Sequence, residues 1–257
     1  MNDSPAYRER RAFFDRLLTV YGRKPVLEVL QNPALQCHAL HLADSNREQG
    51  IVRDIRELAA SRGIDVQLHD RQALSRISRN GRQDQGVAID VLCPAFQQAG
   101  DALTDLPADA RLLALDGISN PQNLGMIIRS AAAGNIDGIL YARRGNAALG
   151  PLVIKASAGT LYRAPLLLCE ALPETLRQYR DAGVEVCTLA ADARESLFEF
   201  RPAGRCVYVL GNETDGVSGA VQKTASRGLS IPMRNGVESL NVAVTASLIA
   251  YAGQMEI

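Results

Sequence analysis

No apolar run in this 257-residue chain approaches the ~20 residues that a membrane-spanning helix needs. Nor does Met1–Arg16 read as a secretory leader, because it is polar and charged and has no apolar core. Cysteines are few: Cys37, Cys93, Cys169, Cys187 and Cys206 are odd in number and scattered among apolar neighbours. No two of them have metal-ligand spacing, so neither a disulfide framework nor a cysteine metal site is supported, and a reduced cytoplasmic protein is expected. His38, His41 and His69 are dispersed, with no carboxylate at ligand spacing, and read as packing residues rather than catalytic ones. Net charge is also lacking: 28 basic residues face 28 acidic ones. That balance excludes binding to a polyanion by bulk electrostatics and leaves only local patches. Lysine is scarce, supplying three of the 28 basic residues, at Lys24, Lys155 and Lys223. The arginines that remain favour bidentate contacts to phosphate and stacking on bases.

What is present is a large apolar fraction, 47% of the chain, enough to bury a substantial core. Residues 17–93 alternate helix and strand patterns. Ala39–Ala43 and Asp65–His69 read as strands, Ile51–Arg62 as a helix stopped at Gly63, Arg71–Ser78 as a short helix, and Gly86–Val91 as a strand. Residues 94–110 are rich in Ala, Gln, Asp and Pro, lack periodicity, and read as a linker. From 111 to 257 the alternation resumes with continuous apolar strands at Leu112–Asp116 and Cys206–Gly211. Such strands imply a mostly parallel sheet with helices on both faces. Arg71, Arg76, Arg79 and Arg82 cluster in the first domain, with only Asp84 close behind. They form either a solvated helix face and loop or a phosphate-binding patch.

The first strand of the second domain is followed by Gly117 and Gly125, which is the wrong spacing for a Gly-x-Gly-x-x-Gly nucleotide loop, and no phosphate-binding Gly-Lys-Ser/Thr exists. Three other segments stand out. In Asn120–Arg129, Asn123 sits at a helix start and Arg129 lies about 9 Å further along the axis at ~1.5 Å per residue. They read either as a helix cap and a surface arginine or as the border of one cleft. In Leu210–Ser218, an apolar strand runs into Gly211-Asn212-Glu213, where ligands of open α/β sheets sit. Gly211 would let a ligand approach the backbone, and Glu213 could orient Arg129. In Ile231–Val242, a strand end and a Gly-bearing loop lead to Ser239-Leu240-Asn241, strong capping residues for a helix over Val242–Ala252.

These three segments, in this order, resemble the motifs of the SpoU (TrmH-like) class of SPOUT RNA ribose methyltransferases. Thr214 departs from the family, where Gly is common, and Lys155–Gly159 with Pro165 matches the stretch between motifs. The resemblance implies an α/β fold with a C-terminal trefoil knot, which composition and periodicity do not show. It implies S-adenosyl-L-methionine as cofactor, held by backbone groups at Gly211, Ile231 and Leu240, with Asn212 and Met233 beside them. It makes Arg129 catalytic, as a base or as a phosphate clamp; Asn123 and Glu213 shape the site, and Ser239 and Asn241 line the reacting ribose. No metal is required. Residues 21–91 resemble the family's small RNA substrate-binding domain, so that rRNA, and a guanosine of the large subunit in particular, is the implied target. A tRNA or antibiotic-site rRNA enzyme and a non-catalytic RNA-binding assembly factor are the alternatives. Related enzymes are homodimers through the C-terminal domain, and the face Val242, Val244, Ala246, Leu248, Ile249 and Tyr251 is a candidate for that contact or for the core.

Overall fold

The computed structural model describes residues 4–252; Met1–Asp3 and 253–257, the end of the expected second domain, lie outside the described residues. The chain divides into two compact units. The first reaches to Pro94 and takes in Leu149–Pro151, and the second runs from Ala95 onward apart from those three residues.

The first unit begins with α1 (Pro5–Asp15), whose first turn is closed by Ser4 accepting from the Tyr7 amide at 3.2 Å. Then come β1 (Leu17–Tyr21), α2 (Arg23–Gln31), β2 (Cys37–Ala43), α3 (Ile51–Ser61), β3 (Asp65–His69), α4 (Arg71–Ser78) and β4 (Val87–Leu92). The sheet order is β1-β4-β2-β3, with β2 and β3 parallel and the other pairs antiparallel. The expectation that the histidines lack a carboxylate partner is wrong for His41. Pairing of β2 with β4 sets its Nε2 3.1 Å from Asp90 Oδ2, and its Nδ1 lies 3.0 Å from His69 Nε2. Asp90 also accepts from Thr19 Oγ1 at 2.6 Å. Burial would raise the Asp90 pKa, but the His41 and Thr19 hydrogen bonds outweigh it and hold the carboxyl below its ordinary value.

In the second unit the expected linker folds. Gln97–Gln98 (β5) pairs in parallel with Leu167 and Leu168, and α5 (Ala99–Asp105) buries Ala99 and Ala102 in the core. The order continues β6 (Arg111–Leu115), α6 (Pro121–Ala133), β7 (Gly138–Ala142), α7 (Pro151–Ala156), β8 (Leu166–Cys169), α8 (Leu172–Asp181), β9 (Glu185–Leu189), β10 (Glu195–Ser196), β11 (Cys206–Leu210), α9 (Gly219–Gln222), β12 (Arg227–Ser230) and α10 (Val242–Tyr251). The eight strands lie in the order β10-β12-β9-β11-β6-β7-β8-β5, all parallel. Leu112, Leu113, Leu115, Val207 and Val209 have no exposed surface, which is why β6 and β11 are apolar without alternation. Each such side chain contributes roughly 1.5–3 kcal/mol of burial.

Two helices fix the sheet's site-bearing edge. In α6, Gly125 is required, because a Cβ there would fall 2.5 Å from Ala156 Cβ and 2.7 Å from the Val153 carbonyl oxygen. Against α6 packs α10, with Ser247 Oγ donating to Ser130 Oγ at 2.8 Å and the Asn135 amide to the Ala250 carbonyl at 2.8 Å. Arg111, opening β6, donates to the Ala252 and Ile249 carbonyls at 2.6 and 2.9 Å and lies over the Tyr208 ring. Its guanidinium thereby caps the carbonyl end of α10. The α10 face expected to act as one surface is divided: Val242, Ala246 and Ile249 are buried, while Val244 and Tyr251 stay exposed.

Candidate active site

From β6 the chain proceeds through α6 to β7 on one side, whereas β11 lies on the other. A sheet opens a crevice beyond its carboxyl ends where successive connections diverge in this way. Here a cleft of about 180 Å³ is lined by Gly117–Asn120 and Asn123 after β6, by Asn212–Asp215 after β11, and by Val242 of α10.

The helix cap in the first segment is Asn120, not Asn123. Asn120 Oδ1 accepts from the Gln122 and Asn123 amides at 2.8 and 3.2 Å, and Pro121 follows at the first helical position. Asn123 is thus free to use its side chain elsewhere, and it is buried at 8% exposure. It links all three segments: Asn241 Nδ2 donates to Asn123 Oδ1 at 3.2 Å, and Asn123 Nδ2 donates to Glu213 Oε1. Chemistry dictates the direction of this line. Asn241 caps α10, its Oδ1 accepting from the Ala243 and Val244 amides at 2.9 and 3.4 Å, so only its NH₂ can face Asn123. Asn123 must then present its oxygen to Asn241 and its NH₂ to the Glu213 carboxylate. Glu213 therefore partners Asn123 rather than Arg129.

The loop after β11 is organised by its own atoms. A Cβ at Gly211 would sit 2.1 Å from the Gly216 carbonyl carbon and 2.3 Å from the Val217 nitrogen, so this glycine lets the loop's own backbone close against it. Asn212 exchanges backbone hydrogen bonds with Gly216 at 3.0 and 3.1 Å, and its Oδ1 accepts from the Thr214 and Asp215 amides at 2.8 and 2.6 Å. Its side chain is thus occupied with the turn. Thr214 has no positive φ, so a β-branched residue fits this turn. Two residues missed in the sequence complete the frame. Asp116 Oδ2 accepts from the Ser218 amide at 2.7 Å, joining the loops after β6 and β11. Asn146 accepts from the Ile118 amide at 2.7 Å and donates to the Leu115 and Ala142 carbonyls, tying the ends of β6 and β7. Strand-end polar residues in both loops were the available signal.

The third segment is open. Ser239 and Leu240 are exposed, Ile231 and Met233 half-buried, and none of the four lines the cleft. Met233, Ser239 and Leu240 make no hydrogen bond to another described residue. Arg129 is likewise exposed on α6 and outside the cleft, its side chain without hydrogen bond or ion pair among the described residues. In the first unit, Arg71, Arg76, Arg79 and Arg82 are all exposed and unpaired among the described residues. The neighbouring Asp84 is buried, accepting from Ser78 Oγ at 2.7 Å and the Gly86 amide at 2.9 Å, so its charge is spent inside the loop.

Residues 110–251, more than half of the chain, match the model of the SpoU rRNA methylase family. The chain belongs to that family. Residues 19–92 match the model described as RNA 2′-O ribose methyltransferase substrate binding. Among curated relatives, an uncharacterized tRNA/rRNA methyltransferase of Mycolicibacterium gilvum is 35% identical over 90% of this chain and 74% of its own length. One of Mycolicibacterium vanbaalenii is 36% identical over the same shares. A TrmH-family structure from Porphyromonas gingivalis aligns with a TM-score of 0.60 at 26% identity, covering 96% of this chain and 91% of that one. The SpoU methyltransferase AviRb of Streptomyces viridochromogenes, solved with AdoMet, shares the fold with a TM-score of 0.60 at 22% identity over 97% and 92% of the two chains.

Proposed function

We propose that this SpoU-family RNA methyltransferase transfers a methyl group from S-adenosyl-L-methionine to a ribose 2′-hydroxyl, with a guanosine of large-subunit rRNA as the target. The observation that carries the reading is the line Asn241–Asn123–Glu213, which joins the three motif loops in one cleft at the strand ends. S-adenosyl-L-methionine supplies an electrophilic methyl carbon on a sulfonium. The residues fit a cofactor held by main-chain atoms: Met233 and Leu240 have backbone groups with no other partner, in an exposed loop beside Ile231, while Gly211 and Asn212 shape the facing turn. Asn123, Glu213 and Asn241 hold a polar wall for the ribose, and Ser239 is available to its hydroxyls. A ribose hydroxyl is a weak nucleophile near neutral pH, so its proton must leave as the bond forms. Arginine is a poor proton acceptor in proteins, which favours Arg129 as a phosphate clamp that sets the ribose in line over a role as base.

The four arginines around α4, with Asp84 turned inward, support RNA selection by residues 17–93, and chemistry by residues 111–257. Exposed Met126, Val244 and Tyr251 on the paired helices α6 and α10 support a homodimer through this face. The insertion of β11 between β6 and β9, with α10 returning onto α6, supports the knot. Among the described residues no helix is long and apolar enough to cross a membrane, and a cytoplasmic site of action belongs to the same reading. The test is methylation mapping. Ribosomal and transfer RNA incubated with the protein and cofactor are digested, and the modified nucleosides identified by mass spectrometry. A 2′-O-methylguanosine in large-subunit rRNA is expected; modification only of tRNA, or only of a base, would replace this assignment.

A further inference from the structure

Helix α1 lies outside both matched ranges, 19–92 and 110–251, and the proposed chemistry does not use it. Its composition is unlike the rest of a protein whose charge is balanced: from Ser4 to Arg16, four arginines stand against Glu9 and Asp15. Tyr7, Arg10, Arg11 and Phe14 recur at i, i+3, i+4 and i+7, so they form one stripe within an arc of about 100°. Glu9 falls on the opposite side of the helix. Both rings of the stripe face water, Tyr7 at 54% exposure and Phe14 at 49%. Phe13 is the ring turned further inward, edge-on to His38 at 5.0 Å; Phe14 touches Phe13 and His38 edge-on at 5.6 and 6.2 Å and still leaves half of its surface to water. Arg10 lies 5.8 Å over the Phe14 ring and has no acidic partner among the described residues, where Arg11 has only a 4.0 Å contact with Asp15.

Resting on the RNA-methyltransferase reading, we infer that the Tyr7–Arg10–Arg11–Phe14 stripe is a second RNA contact, which grips a single-stranded segment of the substrate by stacking bases on the two rings and placing phosphates on the two arginines. Exposed rings alternating with arginines are the elements of a single-strand platform: every base offers a π-face, and guanidinium adds both charge and stacking. The rings are ~10 Å apart along the axis, the length of about three stacked nucleotides. An anionic membrane fits less well, since an interfacial helix buries a broad aliphatic face and this stripe has none.

The test uses the full chain and three fluorescent probes, namely a 12-nucleotide oligouridylate, a 12-base-pair RNA duplex and phosphatidylserine vesicles. Tyr7→Ala/Phe14→Ala should weaken oligouridylate binding on the order of tenfold per ring and leave the duplex nearly unaffected. Arg10→Gln/Arg11→Gln should flatten the salt dependence by ~0.7 in log–log slope per lost phosphate contact. Tyr7→Trp/Phe14→Trp should retain binding, with tryptophan emission quenched by the strand, which separates loss of stacking from loss of the helix. Equal oligouridylate affinity in the alanine and parent proteins overturns the inference. So does a loss that appears equally on the vesicles, or a changed oligomeric state of the alanine variant in light scattering. Cofactor binding by calorimetry on the same samples reads the methyltransferase assignment separately, because its failure would appear in the parent protein as well.

Discussion

Removing Asn123 and Glu213 singly and together measures the bond on which the cleft is built. Asn123 is 8% exposed, and its Nδ2 donates to a carboxylate, the class of hydrogen bond worth ~1.5–3 kcal/mol when both partners are shielded. Glu213 is exposed, so water recovers part of that, and a coupling of about 1 kcal/mol is expected. Asn123→Ala should lower the transition of the second unit, at roughly 2–4 °C per kcal/mol. Glu213→Ala should lower it less, and the double variant should fall short of the sum by that coupling. A further substitution tests the direction of the line. Asp caps helices as well as Asn, so Asn241→Asp keeps α10 capped, yet it puts a carboxylate oxygen against Asn123 Oδ1. Asn123 must then turn over and meet Glu213 oxygen to oxygen. Scanning calorimetry should therefore show Asn241→Asp destabilised despite its intact cap. Additivity of the first pair within ~0.3–0.5 kcal/mol, or a neutral Asn241→Asp, would refute the hydrogen-bond order.

Other perturbations give separate readouts. Gly211→Ala forces a Cβ into the Gly216–Val217 backbone, so the turn must shift; a stability loss of ~1–3 kcal/mol and weakened cofactor binding are expected in calorimetry. Arg111→Ala removes the cap from the carbonyl end of α10, and hydrogen exchange should speed up in α10 before the β6 and β11 core responds. Burial, and then the neighbouring His41, lower the His69 pKa from 6.5 against an opposing pull from Asp70. Its neutral form is therefore favoured by folding, and that contribution is complete above the ordinary histidine pKa and lost as pH falls through the lowered folded one. Proton NMR should show His69 titrating below a model histidine, and His41→Phe should bring it back up; a normal or raised value contradicts the network.

Local pattern made much of this molecule legible. The apolar runs Leu112–Leu115 and Cys206–Leu210 are buried on both faces and could be placed from composition, and the helix over Val242–Tyr251 was marked by its Asn241 cap. The α6 start lies earlier than the expected Asn123, because Asn120 and Pro121 act as cap and first helical residue. Residues 97–105 look like a linker in sequence because a two-residue edge strand and an alanine-based helix carry almost no periodic signal, although Ala99 and Ala102 are buried in the core. His41 and Asp90 are brought together by strand register across 49 positions, which spacing along the chain does not encode. At the site, residue identities were legible but their duties were not. The Cβ position of Gly211 and the side chain of Asn212 serve their own turn, a consequence of loop closure visible only in three dimensions.

Methyl transfer to RNA that differs by one oxygen tests the central claim most directly. Once the modified nucleotide is mapped, two synthetic RNAs are compared in single turnover with labelled cofactor, one with ribose and one with 2′-deoxyribose at that position. The ribose substrate should be methylated and its deoxy counterpart should not, while Arg129→Ala should lower the rate on the order of 10²-fold with cofactor affinity unchanged. Methylation of the deoxy substrate at the parent rate would place the transfer on a base and contradict the account.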